Sequence, residues 1–186
     1  AGIYQANGAA AISVITEEHF FQGALSSLKI VKERTQLPVL RKDFLWDDYQ
    51  VLKSRAFGAD FILLIAAILD LGRLQELLHL TRQLGMEALL EVHDEKELEL
   101  VLEAGAEIIG INNRNLKTFE VSLDISRRLA PAISEDKIVI SESGIRSRQD
   151  VLSLEKCGIK AFLVGETLMR APDAGMALRE MIGLPF

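Results

Sequence analysis

Several residue types and patterns are scarce in this sequence, and each scarcity excludes a class of protein. There is one cysteine, Cys157, so an intramolecular disulfide cannot form and a reducing cytoplasm is the expected location. The longest apolar run, Phe61 to Leu69, is too short to cross a bilayer. The net charge of -6 offers no general attraction to nucleic acid or to an anionic membrane. No group of histidine, cysteine and carboxylate residues has metal-ligand spacing, so no metal is expected.

The remaining composition is that of an ordinary globular protein. Of 186 residues, 49% are hydrophobic and 26% are charged, which is enough for one substantial core. A single domain spanning residues 1–186 is therefore expected. The first residue is Ala1, and residues 1–8 are typical of the last turns of a helix that ends at Gly8. We accordingly expect the N-terminal part of the domain to be incomplete.

A glycine followed closely by a β-rich run recurs along the chain. Glycine placed just after a helix can adopt the left-handed conformation that ends the helix. Each occurrence therefore predicts a helix end, a short loop and a strand, and the glycines concerned are Gly8, Gly58, Gly85, Gly105 and Gly158.

The predicted strands and helices alternate. The strands cover residues 10–16, 38–44, 60–67, 87–93, 107–113, 137–143 and 160–165. The helices cover residues 24–35, 47–57, 71–84, 95–104, 124–129, 148–156 and 173–182. Strict alternation of this kind predicts a parallel sheet with helices packed on it.

Two α/β architectures fit this alternation, an open doubly wound sheet and a closed barrel. An open sheet favours a Gly-x-Gly-x-x-Gly nucleotide motif after an early strand, and this sequence contains none. A complete (β/α)8 TIM barrel takes about 250 residues. Seven βα units in 186 residues therefore indicate a (β/α)8 barrel whose first strand is missing.

The strand at residues 38–44 carries an unusual side chain. Side chains alternate between the faces of a strand, so Leu40, Lys42 and Phe44 share one face. Lysine is rarely buried. Lys42 therefore either lies at a solvent-exposed rim or points inward for a chemical reason, and the parity of the other strands favours the second interpretation.

Polar side chains end three further strands on the same predicted face. In strand 87–93 the apolar alternate residues fit the helix layer, which leaves Glu91 facing the barrel axis, with His93 bordering the pocket or capping the next helix. Parity places Asn112 and Glu142 inward as well. Burial is expected to lower the pKa of Lys42, and buried carboxylates must be paired or protonated. These strand ends predict an acid–base site at the mouth of the barrel.

Two glycine-containing loops follow the last two predicted strands. Ser143 and Gly144 lie in one loop, and Gly165 and Glu166 lie in the other. Exposed backbone N–H groups in these two loops form the common phosphate site of barrels. Glu166 fits such a site only if its side chain points outward. Arg114, close behind the 107–113 strand, offers a cation for a substrate carboxylate.

Six stretches spread over most of the chain occur together in one known family. They are residues 7–14, 38–44, 90–95, 109–119, 141–145 and 162–169. The most specific parts are the runs Arg-Lys-Asp-Phe, Gly-Ile-Asn-Asn-Arg and Ser-Glu-Ser-Gly-Ile. In these stretches the chain resembles indole-3-glycerol phosphate synthase. The resemblance implies a cofactor-free enzyme of tryptophan biosynthesis that closes the pyrrole ring of 1-(2-carboxyphenylamino)-1-deoxyribulose 5-phosphate, with release of carbon dioxide and water.

The resemblance also implies roles for individual residues. Lys42 resembles the general acid that protonates the substrate ketone, and Glu91 resembles the general base of the later dehydration. Asn112 and Glu142 resemble groups that orient the substrate and the catalytic side chains. The resemblance implies that Arg114 binds the substrate carboxylate. It implies that the aromatic ring is held by Phe44, Leu63 and Leu116. The phosphate would be bound by the backbone N–H groups of Ser143, Gly144, Gly165 and Glu166.

One part of the family pattern has no counterpart here. The N-terminal extension and the first strand, which carry a second catalytic lysine and a glutamate, are not found in the sequence. We therefore expect little ring-closure activity from this stretch alone, and unpaired edges on the strands that flank the gap.

Two other interpretations stay open at this stage. One is a different phosphate-binding barrel, such as phosphoribosylanthranilate isomerase, and the other is a non-catalytic fragment that requires a complementing βα unit. The expected partner is the small phosphosugar-anthranilate substrate. The protein is expected to be a monomer or a homodimer, and fusion to another tryptophan-pathway enzyme is also compatible with the sequence.

Overall fold

The computed structural model describes residues 1–185, which form an α/β barrel open at one side. Its seven strands are parallel and lie in the order β1 to β7 along the sheet. They are β1 (Ile12–Ile15), β2 (Val39–Lys42), β3 (Phe61–Ile65), β4 (Glu87–Val92), β5 (Ile108–Asn112), β6 (Ile138–Glu142) and β7 (Ala161–Leu163). Each strand lies within a predicted strand and is slightly shorter, so the prediction of a barrel built from alternating units is confirmed.

The α-helices are α1 (Gly2–Ala6), α2 (Ser26–Lys32), α3 (Asp48–Ala56), α4 (Leu71–Gln83), α5 (Glu95–Glu103), α6 (Asp124–Leu129), α7 (Arg148–Glu155), α8 (Glu166–Arg170) and α9 (Ala174–Ile182). Helices α2 to α7 connect consecutive strands, whereas α1 precedes β1 and α8 and α9 follow β7. The short α8 was not predicted, because five residues are too few to show a helical period. Within residues 1–185, every helix falls short of the length and apolarity needed to cross a bilayer.

The five glycines that were predicted to follow helix ends do so in the structure. Their φ angles are all positive, which side chains with a Cβ rarely adopt: Gly8 at 92°, Gly58 at 90°, Gly85 at 69°, Gly105 at 86° and Gly158 at 91°. At the opposite ends, α3 begins at Asp47, whose carboxylate accepts from Tyr49 N, and α5 begins at Asp94, which accepts from Glu97 N. Aspartate is among the residues that helix N-termini favour for this role.

The barrel has two apolar layers, which the alternation of side chains separates. A small inner cluster contains Leu40, Leu63, Ile65 and Leu89, with Phe44 packed against it. The larger outer layer lies between strands and helices and includes Leu90, Ile109 and Ile111. The predicted inward and outward faces of β2, β4 and β5 are therefore correct.

The sheet remains open between its two outer strands. In the described part of the chain, β1 pairs only with β2, and β7 pairs only with β6. Ile12 and Val14 of β1 pack in the outer layer, whereas Ile15 on the inner face is 44% exposed. An inward-facing isoleucine is exposed here because, within residues 1–185, no strand lies between β1 and β7.

Candidate active site

The carboxyl ends of β2, β4, β5 and β6 bring four polar side chains together at the mouth of the barrel. Lys42 Nζ donates to Glu91 Oε2 at 3.2 Å and to Glu142 Oε2 at 3.1 Å. Asn112 Nδ2 donates to Glu91 Oε1 at 3.0 Å. Glu91 and Glu142 are almost fully buried, and the Lys42 side chain is 27% exposed. The structure thus unites the four residues that parity had predicted to converge.

The prediction for the pKa of Lys42 was wrong in sign. Burial does lower the pKa of the ammonium, but the charges and hydrogen bonds of Glu142 and Glu91 outweigh burial and raise it above its ordinary value. Parity along a strand shows that a lysine points inward. It does not show that two carboxylates from other strands contact the ammonium group.

The two carboxylates have opposite pKa shifts. Burial alone would raise the pKa of Glu91, but contacts with His93, Lys42 and Asn112 lower it to about 2. Complete burial raises the pKa of Glu142 to about 7, and the nearby Glu91 charge adds to that rise while Lys42 opposes it. The two groups titrate together, and the opposite shifts set the order of ionisation: Glu91 ionises first and Glu142 retains a proton longer.

Glu142 also has an oxygen with no protein partner. Among the described residues, nothing forms a hydrogen bond with its Oε1, although the atom is buried. That oxygen lies against Gly110 of β5, where an added Cβ would approach it to 2.2 Å. Gly110 therefore makes room for the carboxylate, since any larger residue would collide with this buried oxygen.

A second polar network holds the ends of β5 and β6 together on the side of the strands that faces away from the barrel axis. Asn113 is fully buried and its Nδ2 donates to Ser141 Oγ at 2.9 Å, to the Glu142 carbonyl at 2.9 Å and to the Ser143 carbonyl at 3.1 Å. Its Oδ1 accepts from Ser126 N at 3.1 Å. Because these contacts join two strands and a helix, they hold the backbone that carries Glu142.

The outer side of β2 is anchored in a comparable way. Arg41 is buried and donates to Thr16 Oγ1 at 3.0 Å, to Ser54 Oγ at 3.0 Å and to Asp43 Oδ2 at 2.8 Å. Thr16 Oγ1 donates to the same Asp43 oxygen at 2.6 Å. Lys42 thus lies between two residues whose side chains are fixed to the end of β1 and to α3.

His93 both borders the pocket and caps α5. Its backbone N–H and its Nδ1 lie 2.8 Å and 2.9 Å from Glu97 Oε2. Its Nε2 lies 3.3 Å from Glu91 Oε1, at ion-pair distance but without forming a hydrogen bond. The sequence-based reasoning recognised the position of His93 but missed its contact with Glu91 and the role of Glu97.

The two predicted phosphate loops are adjacent. Thr167 Oγ1, at the start of α8, donates to the Ile145 carbonyl at 2.7 Å and so joins the loop after β6 to the loop after β7. Ser143 and Gly144 both have positive φ, at 66° and 79°. A Cβ on Gly144 would lie 2.4 Å from Val121 Cγ1, so the β5 and β6 loops approach each other closely.

Arg114 and Glu166 meet across the mouth. Arg114 NH2 lies 3.5 Å from Glu166 Oε2, while Glu166 Oε1 lies 3.1 Å from Arg170 NH2. The Glu166 side chain is 61% exposed, so it points outward, as a phosphate role for its backbone would require. The backbone N–H of Arg114 donates to Asn112 Oδ1 at 3.0 Å, which links the loop to the polar cluster.

The apolar residues predicted to hold an aromatic ring differ in accessibility. Phe44 is half-buried and Leu116 is 42% exposed, whereas Leu63 is only 2% exposed and packs in the inner cluster. Phe21, in the loop after β1, lies near Phe44 with ring centroids 6.4 Å apart. Sequence reasoning missed Phe21, although two adjacent aromatic residues in a loop behind a strand were a usable signal.

Known proteins resemble this chain over nearly its whole length. The sequence model of the family described as indole-3-glycerol phosphate synthase matches residues 1–181. An indole-3-glycerol phosphate synthase of Dehalococcoides mccartyi is 53% identical over 185 residues, covering 98% of this chain and 71% of that protein. The indole-3-glycerol phosphate synthase of Sulfurimonas denitrificans is 51% identical, and the match covers 96% of this chain and 68% of that protein. The synthase of Campylobacter jejuni is 47% identical, and the match covers 96% of this chain and 69% of that protein.

Solved structures support the fold independently of sequence. A crystal structure of 3-hexulose-6-phosphate synthase superimposes with a TM-score of 0.81 at 13% identity, covering 98% of this chain and 92% of that one. The 3-hexulose-6-phosphate synthase of Salmonella typhimurium superimposes with a TM-score of 0.78 at 18% identity, covering 92% of this chain and 84% of that one. At such identities the likeness establishes the barrel fold alone. With the family match over nearly its whole length, the chain belongs to the indole-3-glycerol phosphate synthase family.

Proposed function

We propose that this protein catalyses the decarboxylating ring closure of 1-(2-carboxyphenylamino)-1-deoxyribulose 5-phosphate to indole-3-glycerol phosphate in tryptophan biosynthesis. The observation that carries the proposal is the buried cluster in which Lys42 bridges Glu91 and Glu142 at the barrel mouth. Membership of the family supplies the substrate class. The reaction uses only acid–base chemistry, so the proposal includes no cofactor, and it places the protein in the reducing cytoplasm that the single cysteine favours.

The first step makes a carbon–carbon bond. The aromatic carbon that carries the carboxylate attacks the substrate ketone, and the ketone oxygen takes a proton from Lys42 and becomes a hydroxyl group. Cleavage of the carbon–carboxylate bond then releases carbon dioxide and returns the electron pair to the ring. Lys42 suits the donor role because Glu142 and Glu91 keep its ammonium charged over the whole working pH range.

The second step removes water. The new hydroxyl group takes a second proton from solvent and leaves as water, and Glu91 accepts the proton that the ring gives up when its double bond forms. Glu91 suits this role because its carboxylate is ionised and Asn112 fixes one of its oxygens. Glu142, buried and partly protonated near neutral pH, is proposed to orient Lys42 through its Oε2.

The remaining residues are proposed to bind the ends of the substrate. Arg114 binds the anthranilate carboxylate, and Phe44 and Leu116 contact the aromatic ring above Leu63. Backbone N–H groups of Ser143, Gly144, Gly165 and Glu166 bind the phosphate, which is supported by the adjacency of the two loops.

Arg114→Ala is expected to raise KM about 10- to 100-fold with a smaller change in kcat, because it removes a charge-assisted hydrogen bond to the carboxylate. Glu166→Gln is expected to leave KM unchanged or slightly lower, since the exposed Arg114–Glu166 pair contributes at most about 1 kcal/mol. Steady-state kinetics measure both, with exposed Arg55→Ala on α3 as the control. An unchanged KM in Arg114→Ala would remove Arg114 from the binding site.

We also propose that an eighth strand completes the barrel between β1 and β7, because both of these strands have one unpaired edge in the described residues. A strand there would cover the exposed inner face at Ile15. This keeps the sequence-based hypothesis that a first βα unit belongs to the functional domain.

The assay for the proposed function measures indole fluorescence and product mass after adding the substrate. The 186-residue chain is tested alone and together with a first βα unit supplied as a separate segment. Turnover that appears or increases with the segment is the expected result. Conversion of phosphoribosylanthranilate without ring closure would favour the isomerase, and failure of both reactions with the segment present would overturn the proposal.

A further inference from the structure

His93 lies at the end of β4, and each of its two ring nitrogens faces a carboxylate. Nδ1 lies 2.9 Å from Glu97 Oε2, which also accepts the His93 backbone N–H at 2.8 Å. Nε2 lies 3.3 Å from Glu91 Oε1. The imidazole side chain is only 12% exposed, so these partners dominate its surroundings.

This geometry selects the charged form of the ring. A neutral imidazole has one N–H donor and one acceptor nitrogen, and an acceptor nitrogen facing a carboxylate is repelled. Only the imidazolium presents N–H to both Glu91 and Glu97. Burial alone would lower the pKa of His93, but the two carboxylates outweigh it and raise the pKa to about 9.

The charge of His93 completes the balance of the polar cluster. Without it, the two buried carboxylates Glu91 and Glu142 would share the single cation Lys42, and two like charges at close range favour retention of a proton. With an imidazolium against Glu91 Oε1, that carboxylate is stabilised in its ionised form, and the retained proton stays on Glu142.

We propose that His93 is a positioning residue that orients Glu91 and keeps its carboxylate ionised, so that Glu91 rather than Glu142 accepts the proton in the dehydration step. The proposal rests on the function proposed above. The groups that face the imidazole are Glu91 from β4 and Glu97 from α5, and through Glu91 it is coupled to Lys42 of β2 and Glu142 of β6.

The kinetic test compares pH profiles of kcat in the wild type and in His93→Asn, which retains a side-chain donor but cannot become charged. Wild-type kcat is expected not to rise between neutral pH and about pH 9, because the imidazolium already keeps Glu91 ionised over this range. His93→Asn is expected to be about tenfold slower at pH 7 and to recover as pH rises, because Glu91 then ionises without help. A uniformly lower profile of unchanged shape would overturn the proposal, since a merely structural role predicts that result.

A second measurement does not depend on turnover. Titration of the imidazole by nuclear magnetic resonance is expected to show His93 protonated beyond about pH 8 in the wild type and losing its proton at least about one pH unit earlier in Glu91→Gln. The ring resonances of exposed His79 on α4, compared at one fixed pH, serve as the internal control and should be the same in both proteins. A neutral His93 at pH 7 would refute the coupling even if ring closure is observed. Normal titration without ring closure would instead refute the proposed function.

Discussion

Replacing Lys42 with methionine is expected to lower kcat for ring closure about 1,000-fold, with a much smaller change in KM. Methionine has a similar length but cannot protonate the ketone. Its introduction also leaves Glu91 and Glu142 facing each other without the cation that separates their charges, so the pair is expected to take up a proton. Steady-state kinetics at several pH values measure both effects.

The control for this substitution is Lys29→Met, which removes an exposed lysine of α2 and should leave kcat and KM unchanged. Lys42→Arg provides a second comparison, because it keeps the charge but changes the geometry of the donor. We expect it to retain the fold and to remain at least about tenfold slower than the wild type. Activity of Lys42→Met within about tenfold of the wild type would show that another group protonates the ketone.

Gly110→Ala is expected to lower kcat about 100-fold and to destabilise the fold by about 1–3 kcal/mol. The new Cβ would lie 2.2 Å from Glu142 Oε1 and 3.1 Å from Leu89 Cδ1, so the carboxylate must move away from Lys42. A single methyl group therefore acts on catalysis through the position of a buried charge. Urea unfolding and the ring-closure assay, applied to the same preparations, measure the two effects.

Gly72→Ala is the matched control for this change. Gly72 lies in α4, where an added Cβ would have its nearest neighbour, Asp70 Oδ1, at 3.6 Å, which is an ordinary contact. We expect it to stabilise the protein by about 0.5–1 kcal/mol, since alanine is the better helix former. If Gly110→Ala kept both stability and activity, Glu142 could not occupy the position described against β5.

The site is organised so that adjacent residues on a strand have different tasks. Lys42 faces the mouth while Arg41 is fixed to the end of β1 and to α3, and Asn112 faces the mouth while Asn113 joins β5 to β6. Alternation along a strand makes this division possible, because one face carries the groups proposed to react and the other carries anchors. The anchors Arg41 and Asn113 have their hydrogen-bond partners in place, and buried networks of that kind are rigid.

Much of this arrangement follows from local sequence patterns. The alternation of strands and helices, the glycines after helices and the caps at Asp47 and Asp94 depend on residues within a few positions of one another. The same holds for the inward direction of Lys42, because the period of a strand is a local property. Six short stretches were enough to recognise the family, which the family match over residues 1–181 confirms.

The electrostatics of the site depended on distances that no local pattern contains. The raised pKa of Lys42, the opposite shifts of Glu91 and Glu142, and the contact of His93 with Glu91 arise between different strands or through a loop. The burial of Leu63 and the pairing of Phe21 with Phe44 likewise depend on the curvature of the sheet. The sequence by itself thus determined which residues reach the barrel mouth, and only the tertiary structure decided their protonation and their neighbours, because both depend on interatomic distances across the barrel.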